Sequence, residues 1–86
     1  MDTQQMNLAL VAVLQEWDPF KIGWDLYEPE IADTVVAIRD IDDPKELAEK
    51  IKSIYEFAFD ESIQMEKCLE VAQQLLIIKN DASCSI

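Results

Sequence analysis

The chain has 86 residues, half of them apolar, and its 18 acids against 7 bases give a formal charge of -11. It has no histidine and a single glycine, which excludes imidazole catalysis and His-based zinc sites and leaves no phosphate-cradling loop or dinucleotide-binding turn. The missing basic face also argues against binding nucleic acid through phosphates.

The first predicted helix runs from about Thr3 to Glu16. Met6, Leu10, Val13, Leu14 and Trp17 fall in one arc of the 3.6-residue wheel. Leu8, Ala9, Val11 and Ala12 fill much of the remainder, so this helix is expected to be central, with neighbours on several sides. Asp18-Pro19 ends it, because the residue before proline resists helical angles. The connection from Asp18 to about Leu26 holds the only glycine, Gly23. Trp17, Phe20, Trp24 and Tyr27 place four of the seven aromatics within or beside it. So much apolar area must lie against the bundle or a partner.

A second helix starts near Glu28-Pro29 and stops before Asp42-Asp43-Pro44. Glu28, Glu30 and Asp33 set negative charge at its positive end, and Ile31, Val35 and Ile38 line one face. The third helix has the clearest start in the chain: Asp43 as N-cap, Pro44 in the first turn and Glu46 at capping-box-like spacing. Its predicted buried stripe is Leu47, Ile51, Ile54, Tyr55 and Ala58. Glu49, Ser53 and Glu56 face water, and Glu46 pairs with Lys50 along the helix. Asp60-Glu61-Ser62 breaks the pattern. The fourth helix spans about Gln64 to Lys79, with Met65, Cys68, Leu69, Ala72, Leu75 and Leu76 on one face. The expected fold is all-α: a compact four-helix single domain over residues 1–79, bundle-like or orthogonally packed, followed by a polar, frayed tail over 80–86.

Two cysteines, Cys68 in the apolar pattern and Cys84 in the tail, are read as reduced thiols, one buried and one exposed. Met1-Asp2-Thr3-Gln4-Gln5 lacks the basic start of a signal peptide. The run Leu8 to Leu14 is far short of the roughly 20 residues that span a membrane. A cytoplasmic protein is expected.

Glu16-Trp17-Asp18-Pro19, then Tyr27-x-x-Glu30-Ile31, then Leu47-Ala48-x-x-Ile51-x-x-Ile54-x-x-Phe57 resembles the YugE-type family of small Bacillus proteins, from the first helix to about Leu76. The most specific part is Trp17-Asp18-Pro19 followed by the acidic second helix. The resemblance implies a small, helical, intracellular protein with a domain of unknown function. It brings no catalytic residues to carry over.

Between Glu16 and Asp43 nine acids face only Lys21 and Arg39. Such a patch steers a basic partner or is simply a set of solvated caps and turns. Asp40-x-Asp42-Asp43 starts like a calcium loop, but Pro44 and the helix behind it break the loop and its closing ligand is missing. Asp18 with Asp25, or Glu30 with Asp33, are carboxylate pairs of the kind acid-base catalysis uses. No activated Ser or Cys accompanies them. No cofactor or metal is expected. Trp17 and Phe20 read as core, and Trp24 is open between a lid on the core and a contact residue.

The leading expectation is an acidic interaction module, probed through a partner-binding surface of Trp24, Asp25, Tyr27, Glu28, Glu30 and Asp33. Its partner would be a protein with a basic rim; neither nucleic acid nor a membrane is expected as a partner, and the chain itself is expected to be a monomer or weak homodimer. The competing readings are a small carboxylate enzyme with a divalent metal, and an acidic inhibitor that mimics nucleic acid. Against the mimic, the acids cluster at helix ends instead of covering one continuous face.

Overall fold

The computed structural model describes the backbone of residues 3–84, and the side chains among them except those of residues 3, 24, 25 and 82–84. Four helices appear in chain order: α1 (Thr3–Trp17), α2 (Glu28–Asp40), α3 (Pro44–Phe59) and α4 (Met65–Cys84). A 3-10 helix, Trp24–Tyr27, leads straight into α2. Among the described residues there is no strand. Each helix packs on the next, and α4 returns to α1 to close the bundle. α2 and α4 also meet across the middle.

α1 is not the central helix. Leu10 and Leu14 are fully buried, but Leu8, about 200° around the wheel from Leu10, is 64% exposed. α4 packs against all three other helices, most extensively against α3 and α1, and occupies that role. Val13, Trp17 and Ile54, expected in the core, pack against its edge and keep partial contact with water. The buried cluster joins Leu10 and Leu14 to Ile31, Val35 and Ile38 of α2, to Leu47, Ile51 and Tyr55 of α3, and to Cys68, Ala72 and Leu75 of α4. Burial pushes the Cys68 thiol up to about 11, with Lys52 opposing and Glu56 adding to the effect, so this thiol is inert at neutral pH.

Local chemistry explains the helix ends. The Asp43 carboxylate accepts the Glu46 N–H at 2.9 Å, with Pro44 opening α3. At the other end Asp60 takes a left-handed conformation (φ 53°) and donates its N–H to the Glu56 carbonyl. Aspartate tolerates that region better than most residues. Glu56, expected to face water, is half-buried; its carboxylate takes the Lys52 ammonium and the Ile63 N–H, tying the α3–α4 connection back onto α3. The helical pair is thus Lys52–Glu56, and no Glu46–Lys50 pair forms among the described residues.

α4 continues five residues past Lys79, so the segment expected to fray is helical through Cys84. Lys79 itself ends α2 from a distance. Its ammonium donates to the carbonyls of Ile38 (2.8 Å), Arg39 (3.2 Å) and Ile41 (3.3 Å) and to the Asp42 carboxylate (2.7 Å). A cation over the unpaired carbonyls of a helix C-terminus satisfies them and complements the helix dipole.

Candidate interaction surface

Two regions combine aromatic rings with carboxylates. The first is the connection after α1. There Asp18 turns its side chain inward along the chain: its carboxylate accepts the Tyr27 hydroxyl at 2.6 Å and the N–H groups of Ile22 (3.0 Å) and Gly23 (3.2 Å). The Tyr27 oxygen in turn accepts the Phe20 N–H at 3.0 Å. Asp18 and Lys21 have positive φ (32° and 56°), and Gly23 reaches 101°, an angle that glycine adopts without steric cost. The Tyr27 ring lies against Phe20, Tyr55 and Phe59 at 5.2–6.4 Å between centroids. Trp17 meets Tyr55 edge-on at 5.2 Å.

The electrostatics follow from these bonds. The Tyr27 hydroxyl, more than the Ile22 and Gly23 N–H groups, holds the Asp18 carboxyl below its usual range against the opposing effect of partial burial. Burial first, and the Asp18 carboxylate second, push Tyr27 up to about 12. The loop closes on itself through the Asp18 carboxylate, the Tyr27 hydroxyl and the N–H groups of Phe20, Ile22 and Gly23.

The second region is a groove of about 510 Å³ between α2 and α3, lined by Glu30 and Asp33 on one side and Ser53, Ile54, Phe57 and Ala58 on the other. A second groove continues it along Asp33, Val36, Ala37, Asp40, Lys50 and Ile54. Rising numbers on α2 meet falling numbers on α3, so the helices run antiparallel along it. Phe57 is 93% exposed and Val36 61% exposed. Ala58, expected in the stripe, is also exposed; at this end of α3 it is Phe59 that packs on the core, against Phe20 and Tyr27. The Lys50 end carries a basic residue, whereas none lines the Glu30 end.

Unmet polar groups collect beside that acidic end. Glu30 Oε2 is buried with no hydrogen-bond partner, and the hydroxyl of Tyr55, a residue with no exposed surface, lies beside the Thr34 hydroxyl without a well-formed bond. Burial foremost, then the negative charge of Glu30, push the Tyr55 hydroxyl above its ordinary value. Thr34, buried next to them, donates its hydroxyl proton to the Glu30 carbonyl at 2.8 Å. Buried polar atoms without partners are uncommon in folded proteins.

The expected contact residues are therefore divided. Tyr27 is corrected: it is fully buried, and its hydroxyl belongs to the Asp18 lock. The side chains of Trp24 and Asp25 lie outside the described residues, and only their backbone is placed, in the 3-10 helix. Glu28 is exposed at the start of α2. Glu30 and Asp33 come together on the groove. Sequence reasoning missed Phe57; the signal was its place two residues past Tyr55, off the buried stripe. Among the described residues no three His, Cys, Asp or Glu side chains are grouped to share a metal ion, and no helix is long and apolar enough to cross a membrane.

Comparison with known proteins settles the family. The family model described as a domain of unknown function (DUF1871) matches residues 9–85. The chain belongs to the DUF1871 family. It is 43% identical, over 85 residues and 99% of both chains, to the uncharacterized protein YugE of Bacillus subtilis (strain 168). The crystal structure of APC36109 from Bacillus stearothermophilus superposes with a TM-score of 0.89 at 44% identity, covering 92% of this chain and 98% of that one. The YugE-type resemblance and the four-helix architecture are thus both established. DUF1871 membership carries no described activity, so a role has to be argued from side chains.

Proposed function

We propose that the protein is a cytoplasmic accessory module that works by binding another protein, and that its contact surface is the α2–α3 groove. The observation that carries this reading is Phe57, a large aromatic 93% exposed on a regular helix at the edge of a groove holding Glu30 and Asp33. Aromatic residues at the centre of an interface supply desolvated contact area at low entropic cost, and surrounding charge speeds encounter and sets specificity. Val36 extends the apolar strip along the same groove. With a net charge of -11, the favoured partner is a basic protein with an apolar centre. A second copy of this chain would bring like charges together.

The test is a photo-crosslinking phenylalanine analogue in place of Phe57, with one in place of the exposed Glu66 on α4 as control, activated in cell extract over a series of salt concentrations. A discrete adduct from position 57 that fades as salt is raised is the expected result. Adducts of the same pattern from both positions, or none from position 57, would remove the reading.

A further inference from the structure

Resting on that interaction reading, we infer that the Glu30 end of the groove is a socket for an arginine side chain of the partner. The guanidinium is placed between Glu30 and Asp33, with its face and stem against Phe57 and Ile54.

The argument starts from an imbalance. Two carboxylates, Glu30 and Asp33, line this end, and no basic residue lines it with them. One Glu30 oxygen is buried without a donor. A buried acceptor left unpaired carries the full desolvation penalty of the group. A partner donor that draws the Glu30 carboxylate out to the groove relieves that penalty, besides adding a bond.

Tyr55 supplies an independent sign. It is fully buried, its hydroxyl lies beside that of Thr34 without a well-formed hydrogen bond, and it is close enough to Glu30 for that charge to act on it. α2 and α3 have thus brought Glu30, Thr34 and Tyr55 together behind the groove, and the Glu30 oxygen is the atom among them left without a donor. The contrast is with the Asp18, Asp43 and Glu56 carboxylates, which all have donors supplied by the chain itself; of the buried side-chain atoms without a partner, Asn7 Oδ1 on α1 lies outside this groove.

The remaining lining selects the kind of donor. A guanidinium presents five N–H groups in a planar fork, enough to address two carboxylates at once, and its face stacks on aromatic rings. Phe57 and Ile54 offer the apolar wall that such a side chain needs for its stem. An ammonium is a point charge with tighter hydration and uses less of this lining.

The probe is N-butylguanidinium chloride, titrated into the full 15N-labelled chain, with N-butylammonium chloride and sodium chloride at equal ionic strength beside it. Saturable amide shifts confined to residues 30–33 and 53–58 are expected, tighter for guanidinium than for ammonium and absent for sodium. Glu30→Gln should weaken guanidinium binding roughly tenfold, the equivalent of one lost charge-assisted bond. Glu28→Gln, two residues away and outside the groove, should leave it unchanged. Should Glu30→Gln unfold the chain, Asp33→Asn on the exposed rim gives the same readout. Shifts that follow ionic strength alone, or spread to Asp42, Asp43 and Glu66, would overturn the socket, as would equal affinity in Glu30→Gln or Asp33→Asn. The crosslink at position 57 separates the two ideas: an adduct that survives while the socket fails leaves a partner that binds without arginine.

Discussion

The connection after α1 and the α2–α3 groove are built from the same materials, aromatic rings beside carboxylates, yet they have opposite fates. In the connection, Asp18, Tyr27 and Phe20 satisfy one another, and the Tyr27 ring is at 0% exposure. In the groove, Phe57 projects into water and a Glu30 oxygen is left without a donor. Composition does not distinguish them. What separates an internal lock from an open surface is whether backbone N–H groups and a hydroxyl from the same segment reach the carboxylate.

That contrast breaks first at the rings. Tyr27→Ala should destabilise the fold by about 3–5 kcal/mol, because the ring packs on three others. Urea unfolding measures it, and a loss below about 1 kcal/mol would mean the loop is not part of the core. The α3 start offers a smaller test. Asp43→Ala removes the N-cap and should cost about 0.5–2 kcal/mol, while Asp43→Asn, which caps as well, should be close to neutral. Equal damage from both would point to charge instead of capping.

Titration sharpens the lock side. The folded Asp18 carboxyl lies below its ordinary value, so its contribution is complete above the unfolded value of about 3.9 and disappears as pH falls through the folded one. Asp18→Asn should therefore lower the melting temperature at pH 6, and the gap to the unaltered chain should close below pH 4. Tyr27 works at the other extreme. Its raised value, about 12, means that its share is present below pH 10 and is lost as pH climbs through 12. An unchanging gap between the two proteins from pH 6 to pH 3 would show that Asp18 acts through shape and not through charge. The least effect is expected at the groove: Phe57→Ala should change stability by no more than about 0.5 kcal/mol, as for other surface sites. A larger loss would make Phe57 a structural residue and count against the interaction reading.

The helices were legible because periodicity and caps are local. Asp43-Pro44 marks the α3 start within the residues that form it, and the Leu10–Leu14 and Ile51–Tyr55 spacings mark buried faces. The resemblance to a known family was carried by Trp17-Asp18-Pro19, and the structure explains why that segment is distinctive: Asp18 organises the whole loop. Features made by residues far apart were not legible. Nothing near Lys79 reveals that it will end α2, since its acceptors lie at positions 38 to 42. Tyr27 and Phe57 were misjudged or missed for the same reason. A tyrosine in an acidic loop and a phenylalanine on an amphipathic helix differ only in what the rest of the chain sets against them.

The Lys79 tie has a kinetic consequence. Its bonds to the end of α2 and the two residues after it span 37 to 41 residues of chain, whereas the bond between Asp18 and Tyr27 spans nine. Short loops close at lower entropic cost, so the Asp18 turn is able to form before the bundle is complete, and the Lys79 clasp only after α4 has docked. Removing the first should slow refolding, and removing the second should hasten unfolding while leaving refolding nearly untouched. Stopped-flow traces of Asp18→Asn and Lys79→Met would then differ in opposite limbs, with the rate of arrival at the native state governed near the first turn and its lifetime by a lysine in the last helix.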